Sequence, residues 1–99
     1  MSYDFEFLPK AQIEYTKAFA WYEEQLDGLG DRFENAVEKK LITVNENPLI
    51  YSKKAGGFRE GKIEGFPYLI VYKIYPEKHL IVIYSIFHTS RWPGKKYRK

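Results

Sequence analysis

Tyr68-Leu69-Ile70-Val71-Tyr72-Lys73-Ile74-Tyr75, Pro76-Glu77-Lys78-His79 and Leu80-Ile81-Val82-Ile83-Tyr84-Ser85-Ile86-Phe87 follow one another near the end of the chain. The outer two stretches are rich in β-branched and aromatic residues and read as strands, and the middle one carries turn chemistry. So short a connection makes the two strands antiparallel neighbours. Upstream, residues 58–64 alternate with a period of two and read as another strand, with Gly65-Phe66-Pro67 as the turn between. The second half is therefore a three-stranded antiparallel meander.

Before the meander the period changes to that of a helix. Ala11, Tyr15, Ala18, Tyr22 and Leu26 recur at spacings of three and four, with Ile13, Phe19 and Trp21 widening the apolar surface. Pro9 suits the first turn of this helix, and Asp27-Gly28-Leu29-Gly30 ends it. A second helix is predicted over residues 31–46, with Phe33, Val37, Leu41 and Val44 as its stripe and Asn47-Pro48 as its stop. The short link makes the two an antiparallel hairpin. Tyr3, Phe5 and Phe7 alternate with Asp4 and Glu6 and form an N-terminal strand whose place in the sheet the pattern does not fix. The expected fold is α+β, in the order β-α-α-β-β-β, with the helical hairpin on one face of a small twisted sheet.

The 99 residues suffice for one domain spanning 1–99. The absence of cysteine removes disulfides, thiolate zinc sites and cysteine nucleophiles together. Neither a secretory signal nor a membrane span is read, since the most apolar run is eight residues against the ~20 needed to span a bilayer. A soluble, cytoplasmic protein is expected.

Charge is segregated along the chain. Residues 1–50 carry five bases against ten acids, and residues 51–99 carry eleven bases against three. Such a split points to an anionic partner for the second half. Positions 89–99 hold five bases and no acid. Arg91, Trp92, Lys95, Lys96, Tyr97 and Arg98 combine cations that neutralise phosphates with rings that stack on bases, a mixture suited to single-stranded RNA or to an acidic protein. Lys73 interrupts an apolar strand, which leaves its side of the sheet open to solvent or a ligand. Trp92, Lys73, Lys95, Lys96 and Arg98 are the expected target-binding residues.

His88 ends the last apolar run. An imidazole beside arginines could act as general acid or base on a phosphodiester, and a strand-end histidine could equally serve structure. For phosphodiester chemistry the candidate group is His88, Arg59, Arg91 and Tyr97, with Arg59 reaching across the sheet towards His88. His79 lies in a turn and is expected to be exposed, and Glu23-Glu24 read as a solvated helix face. No phosphate loop or nucleophile elbow is present. Two histidines without cysteine make no metal site, and no cofactor is expected.

Nearly the whole chain resembles the RelE/ParE superfamily of toxins from type II toxin–antitoxin modules, of the plasmid-stabilisation type. The resemblance rests on the N-terminal strand, the hairpin ending in Asn47-Pro48, Phe58-Arg59 at the start of the meander, and two longer stretches. These are Phe66-Pro67-Tyr68-Leu69-Ile70-Val71-Tyr72 and Ile83-Tyr84-Ser85-Ile86-Phe87-His88-Thr89-Ser90-Arg91. It implies a compact growth-inhibiting protein neutralised by a co-expressed antitoxin. RelE-like members cut messenger RNA in the ribosome with basic residues, and ParE-like members poison DNA gyrase. RelE-like nucleases usually carry arginine where this chain has Leu69, and leucine cannot stabilise a phosphorane's charge. The long hairpin and the Phe-Pro-Tyr turn are closer to the ParE side. The expectation is a binding toxin, with a RelE-like ribosome-dependent endoribonuclease as the alternative.

Overall fold

A computed structural model describes residues 3–90 of the chain. Strand β1 (Asp4–Phe7) leads into helix α1 (Pro9–Gln25) and helix α2 (Leu29–Glu46), followed by β2 (Arg59–Lys62), β3 (Tyr68–Tyr75) and β4 (Leu80–His88). The sheet order is β1-β4-β3-β2. β2, β3 and β4 form the antiparallel meander, and β1 adds to β4 in parallel, with Phe5 opposite Ile81 and Phe7 opposite Ile83. Parallel addition follows from the intervening hairpin, which returns the chain to the same end of the sheet.

The helices cover one face. Ala11, Ala18, Tyr22, Phe33, Val37 and Val44 pack on Ile63, Tyr68, Ile70, Tyr72, Ile81, Ile83 and Ile86. Tyr22, Phe33, Phe66 and Tyr68 form an aromatic cluster with ring centroids 4.9–6.2 Å apart, joining the hairpin to the start of β3. The other face carries a second cluster of Phe58, Val71, Val82, Tyr84 and Phe87.

A bulge in β4 sets which residues face the helices. Val71 lies opposite Ser85 and Tyr72 opposite Ile83, so Tyr84 is the extra residue. Ile83 and Ile86 are three apart and would otherwise fall on opposite faces; the bulge places both against the helices.

Four details differ from the sequence expectation. β2 is shorter than 58–64, because Ile63 begins the turn and donates to Tyr68 O at 3.0 Å. Leu26 closes α1 as its C-cap and is 60% exposed, and Ile13 and Trp21 are exposed too. α2 begins two residues before Asp31, at Leu29, after Gly28 takes a left-handed φ of 88°. Glu23 is not a solvated acid, since its carboxylate accepts from Gly28 N at 3.0 Å and Gly30 N at 2.9 Å. It thereby satisfies donors at the start of α2, where the helix dipole favours an anion.

Candidate functional site

His88 sits at the end of β4 opposite Tyr68, whose ring meets the imidazole edge-on at 4.9 Å. Thr89 N donates to Pro67 O at 2.8 Å, which continues the β3–β4 pairing one residue further. His88 Nδ1 accepts from Ser90 N at 3.2 Å and lies 2.7 Å from Ser90 Oγ.

Beside His88 a cleft of about 500 Å³ separates α1 from the end of β4. Ala18, Tyr22, Tyr68 and Ile86 floor it, with Ile13, Lys17 and Trp21 on the helix rim and His88 and Ser90 on the strand rim. The exposed faces of Ile13 and Trp21 therefore border a recess, not bulk solvent alone.

Sequence reasoning missed the polar cluster at one end of this cleft. β1 stops at Phe7 while β4 runs on, which leaves β4 without a strand neighbour on that side. Glu14 of α1 takes the place of the missing strand. Its Oε1 accepts from Ile86 N at 3.0 Å and from Ser85 Oγ at 2.8 Å. Lys10 Nζ donates to Ser85 Oγ at 3.3 Å and pairs with Glu14 Oε2 at 3.5 Å. Ser85 is fully buried. The Lys10 to Glu14 spacing of one helical turn was visible in the sequence, but its partner on β4 was not.

Arg59 and Lys73 stand elsewhere. Arg59 lies opposite Tyr72, a residue of the helix-facing core, and its Nη1 donates to Tyr51 O at 2.6 Å. His88 lies opposite Tyr68, four residues from Tyr72 along β3. That offset alone is about 13 Å of strand, so Arg59 does not reach His88. Lys73 is half-buried on the face opposite the helices, with its ammonium 4.4 Å from the Phe58 ring centre and 5.5 Å from that of Tyr84. The ring faces attract the cation and hold it on this face. Tyr84 Oη and Tyr75 Oη are 2.7 Å apart. Burial first, and then this hydrogen bond, push the Tyr84 hydroxyl up to about 12. Tyr72, whose Oη donates to Pro48 O at 2.9 Å, is raised to about 12 by burial, against the opposing pull of Arg59.

Arg91, Trp92, Lys95, Lys96, Tyr97 and Arg98 lie outside the described residues. Among the described residues no group of three side chains could hold a metal ion, and no helix is long and apolar enough to cross a membrane.

A helical hairpin on a mixed sheet of order β1-β4-β3-β2 is the architecture of the RelE/ParE superfamily of toxins. The intact E. coli RelBE toxin–antitoxin complex contains a chain 26% identical to this one, with a TM-score of 0.69 over 91% of this chain and 100% of that one. The free E. coli RelE toxin, as a double arginine-to-alanine mutant, matches at 26% identity and a TM-score of 0.69, over 91% and 86% of the two chains. A chromosomal ParDE system from P. aeruginosa shares the fold at 14% identity, with a TM-score of 0.64 over 90% and 98%. Residues 5–93 match the family described as the ParE toxin of the type II toxin–antitoxin system parDE. The chain belongs to that family. No match was found among curated protein sequences.

Proposed function

We propose that this protein acts as a toxin by binding, not by cutting RNA, that its target is DNA gyrase, and that a cognate antitoxin neutralises it. The observation that carries this reading is the separation of Arg59 from His88. A phosphodiester-cleaving site needs its proton-transfer group and its charge-stabilising group within hydrogen-bond reach of one phosphate. Here Arg59 is tethered to Tyr51 O beside Tyr72, and His88 stands at the other end of β3. Ser90 N donates to His88 Nδ1, so that nitrogen is already used within the turn that follows β4. Leu69 occupies the position where the nuclease branch usually carries arginine.

Lys73, on the face opposite the helices, and the basic residues that follow Ser90 are the proposed contacts to the target. The solved relative in complex with RelB supports an antitoxin as the second partner. Primer extension on a message translated in a reconstituted ribosomal system tests the reading. The message should stay intact with the wild-type protein and with His88→Ala. Discrete ribosome-dependent cuts that vanish in His88→Ala would overturn it.

A further inference from the structure

Residues 47–57, between α2 and β2, are fastened by the Tyr51 ring, which packs against the core, and by a set of polar ties. Lys40 of α2 is only 9% exposed, and its ammonium donates to Tyr51 Oη at 2.7 Å, with no carboxylate among the described residues paired to it. Tyr72 Oη holds the Pro48 carbonyl and Arg59 holds the Tyr51 carbonyl. Gly61 lets Tyr51 close down on β2, since a Cβ there would stand 2.8 Å from Tyr51 Cε2. Lys53 bridges to Arg59, and Lys54 N donates to Phe58 O at 2.6 Å. Two large apolar side chains are among those it exposes: Leu49 is 67% and Ile50 48% accessible. Lys53 and Lys54 are exposed next to them, and neither makes an ion pair with a described residue.

A loop without its own apolar core is ordinarily soft. This one is tied at successive points by buried or half-buried donors, so its exposed tip is held in one shape before anything binds. Preorganisation of that kind lowers the ordering cost of association. Adjacent large apolar side chains left in water on a rigid support mark an interaction surface. The chemistry of the occupant follows from what is offered. Leu49 and Ile50 need apolar side chains to pack on, and Lys53 and Lys54 need carboxylates. A nucleic-acid backbone supplies only anions, and the nearby rings of Phe58 and Tyr84 are too covered to stack on bases.

We propose that Leu49, Ile50, Lys53 and Lys54 form a docking surface for an acidic protein segment that carries apolar side chains beside its carboxylates. On the reading above, which this inference rests on, that segment belongs to the antitoxin.

Calorimetric titration of the full-length protein with the purified product of the adjacent gene gives the first test. Leu49→Ser/Ile50→Ser and Lys53→Glu/Lys54→Glu should each weaken binding about tenfold or more, the scale of a lost interface anchor. Lys62→Glu, a single charge reversal at the far end of β2, should leave affinity within about twofold. Unchanged affinity in both double variants would overturn the proposal. If the wild-type protein does not bind that product at all, the toxin–antitoxin reading fails, and a second titration still decides the surface. In it, amide shifts are followed while a short peptide alternating Leu with Asp and Glu is added, alongside its Asn and Gln counterpart. Shifts centred on residues 47–54 with the acidic peptide alone support the surface, and their absence refutes it. Binding to a DNA duplex that Lys53→Glu/Lys54→Glu abolishes and Leu49→Ser/Ile50→Ser spares would assign the surface to phosphates and also refute it.

Discussion

Replacing Glu14 by alanine removes the group that stands in for a missing strand beside β4. Two donors lose their acceptor, Ile86 N and Ser85 Oγ, in residues that are both fully buried. An orphaned buried donor costs about 1–3 kcal/mol. Ser85 Oγ can rotate towards another acceptor, and Glu14 borders the cleft, so a water can enter and soften the loss. The net expectation for Glu14→Ala is a destabilisation of about 3 kcal/mol. Glu14→Gln keeps an oxygen for Ile86 N and gives up only the charge opposite Lys10, at a cost of about 1 kcal/mol. Urea unfolding followed by circular dichroism reads the difference. With a slope near 2 kcal/mol/M, the alanine variant should lose about 1.5 M in midpoint. Adding Ser85→Ala to Glu14→Ala should cost less than the sum of the two, because one orphaned donor disappears with the serine. A loss below about 0.5 kcal/mol for Glu14→Ala, the size of an ordinary surface change, would refute the claim that this carboxylate completes the sheet. So would equal losses for alanine and glutamine.

Two further outcomes follow from the packing. In Gly30→Ala the new Cβ would stand 2.8 Å from Glu23 Oε1 and 3.0 Å from the Phe19 carbonyl oxygen. The helices must part, which costs roughly 1–3 kcal/mol despite alanine's better helix propensity; a melting temperature at or above wild type would show that the hairpin yields freely. The second concerns pH. Tyr72 is raised from 10.0 to about 12, mainly by burial. The folded state therefore holds this proton more tightly than the unfolded chain, and its contribution is complete below pH 10. It is lost as pH rises towards 12, by about 2–3 kcal/mol at most. Denaturant titrations between these limits should show stability falling with pH, and Tyr72→Phe should flatten part of that slope. An unchanged slope would remove Tyr72 as its source.

The meander and the hairpin were legible because their signals are local. Alternation in Tyr68–Tyr75, turn residues at Pro76–Lys78 and the helical stripe of Phe33, Val37 and Val44 each act over a few positions. The parallel place of β1 was not legible, since the partner of Phe5 is Ile81, far along the chain. The bulge at Tyr84 escaped because Leu80–Phe87 is apolar on both faces apart from Ser85, so an extra residue leaves no break in the pattern. His88 and Lys73 were named by residue type; His88 borders the cleft, and Lys73 stands on the face opposite the helices, beside Phe58 and Tyr84. Arg59 was named as a possible catalytic group, but a strand arginine's face depends on register, and its register sets it against Tyr72. Glu23 was read as a solvated helix acid and Glu14 was passed over, because the donors each one meets become neighbours only in the folded chain.

A toxin that acts by binding gyrase must block gyrase's own reaction, read as ATP-dependent supercoiling of relaxed plasmid by the purified enzyme with increasing amounts of the protein. Inhibition should persist in His88→Ala, weaken in Lys73→Glu and be reversed by adding the antitoxin. Full supercoiling at concentrations of a preparation that arrests growth when expressed would contradict gyrase as the target.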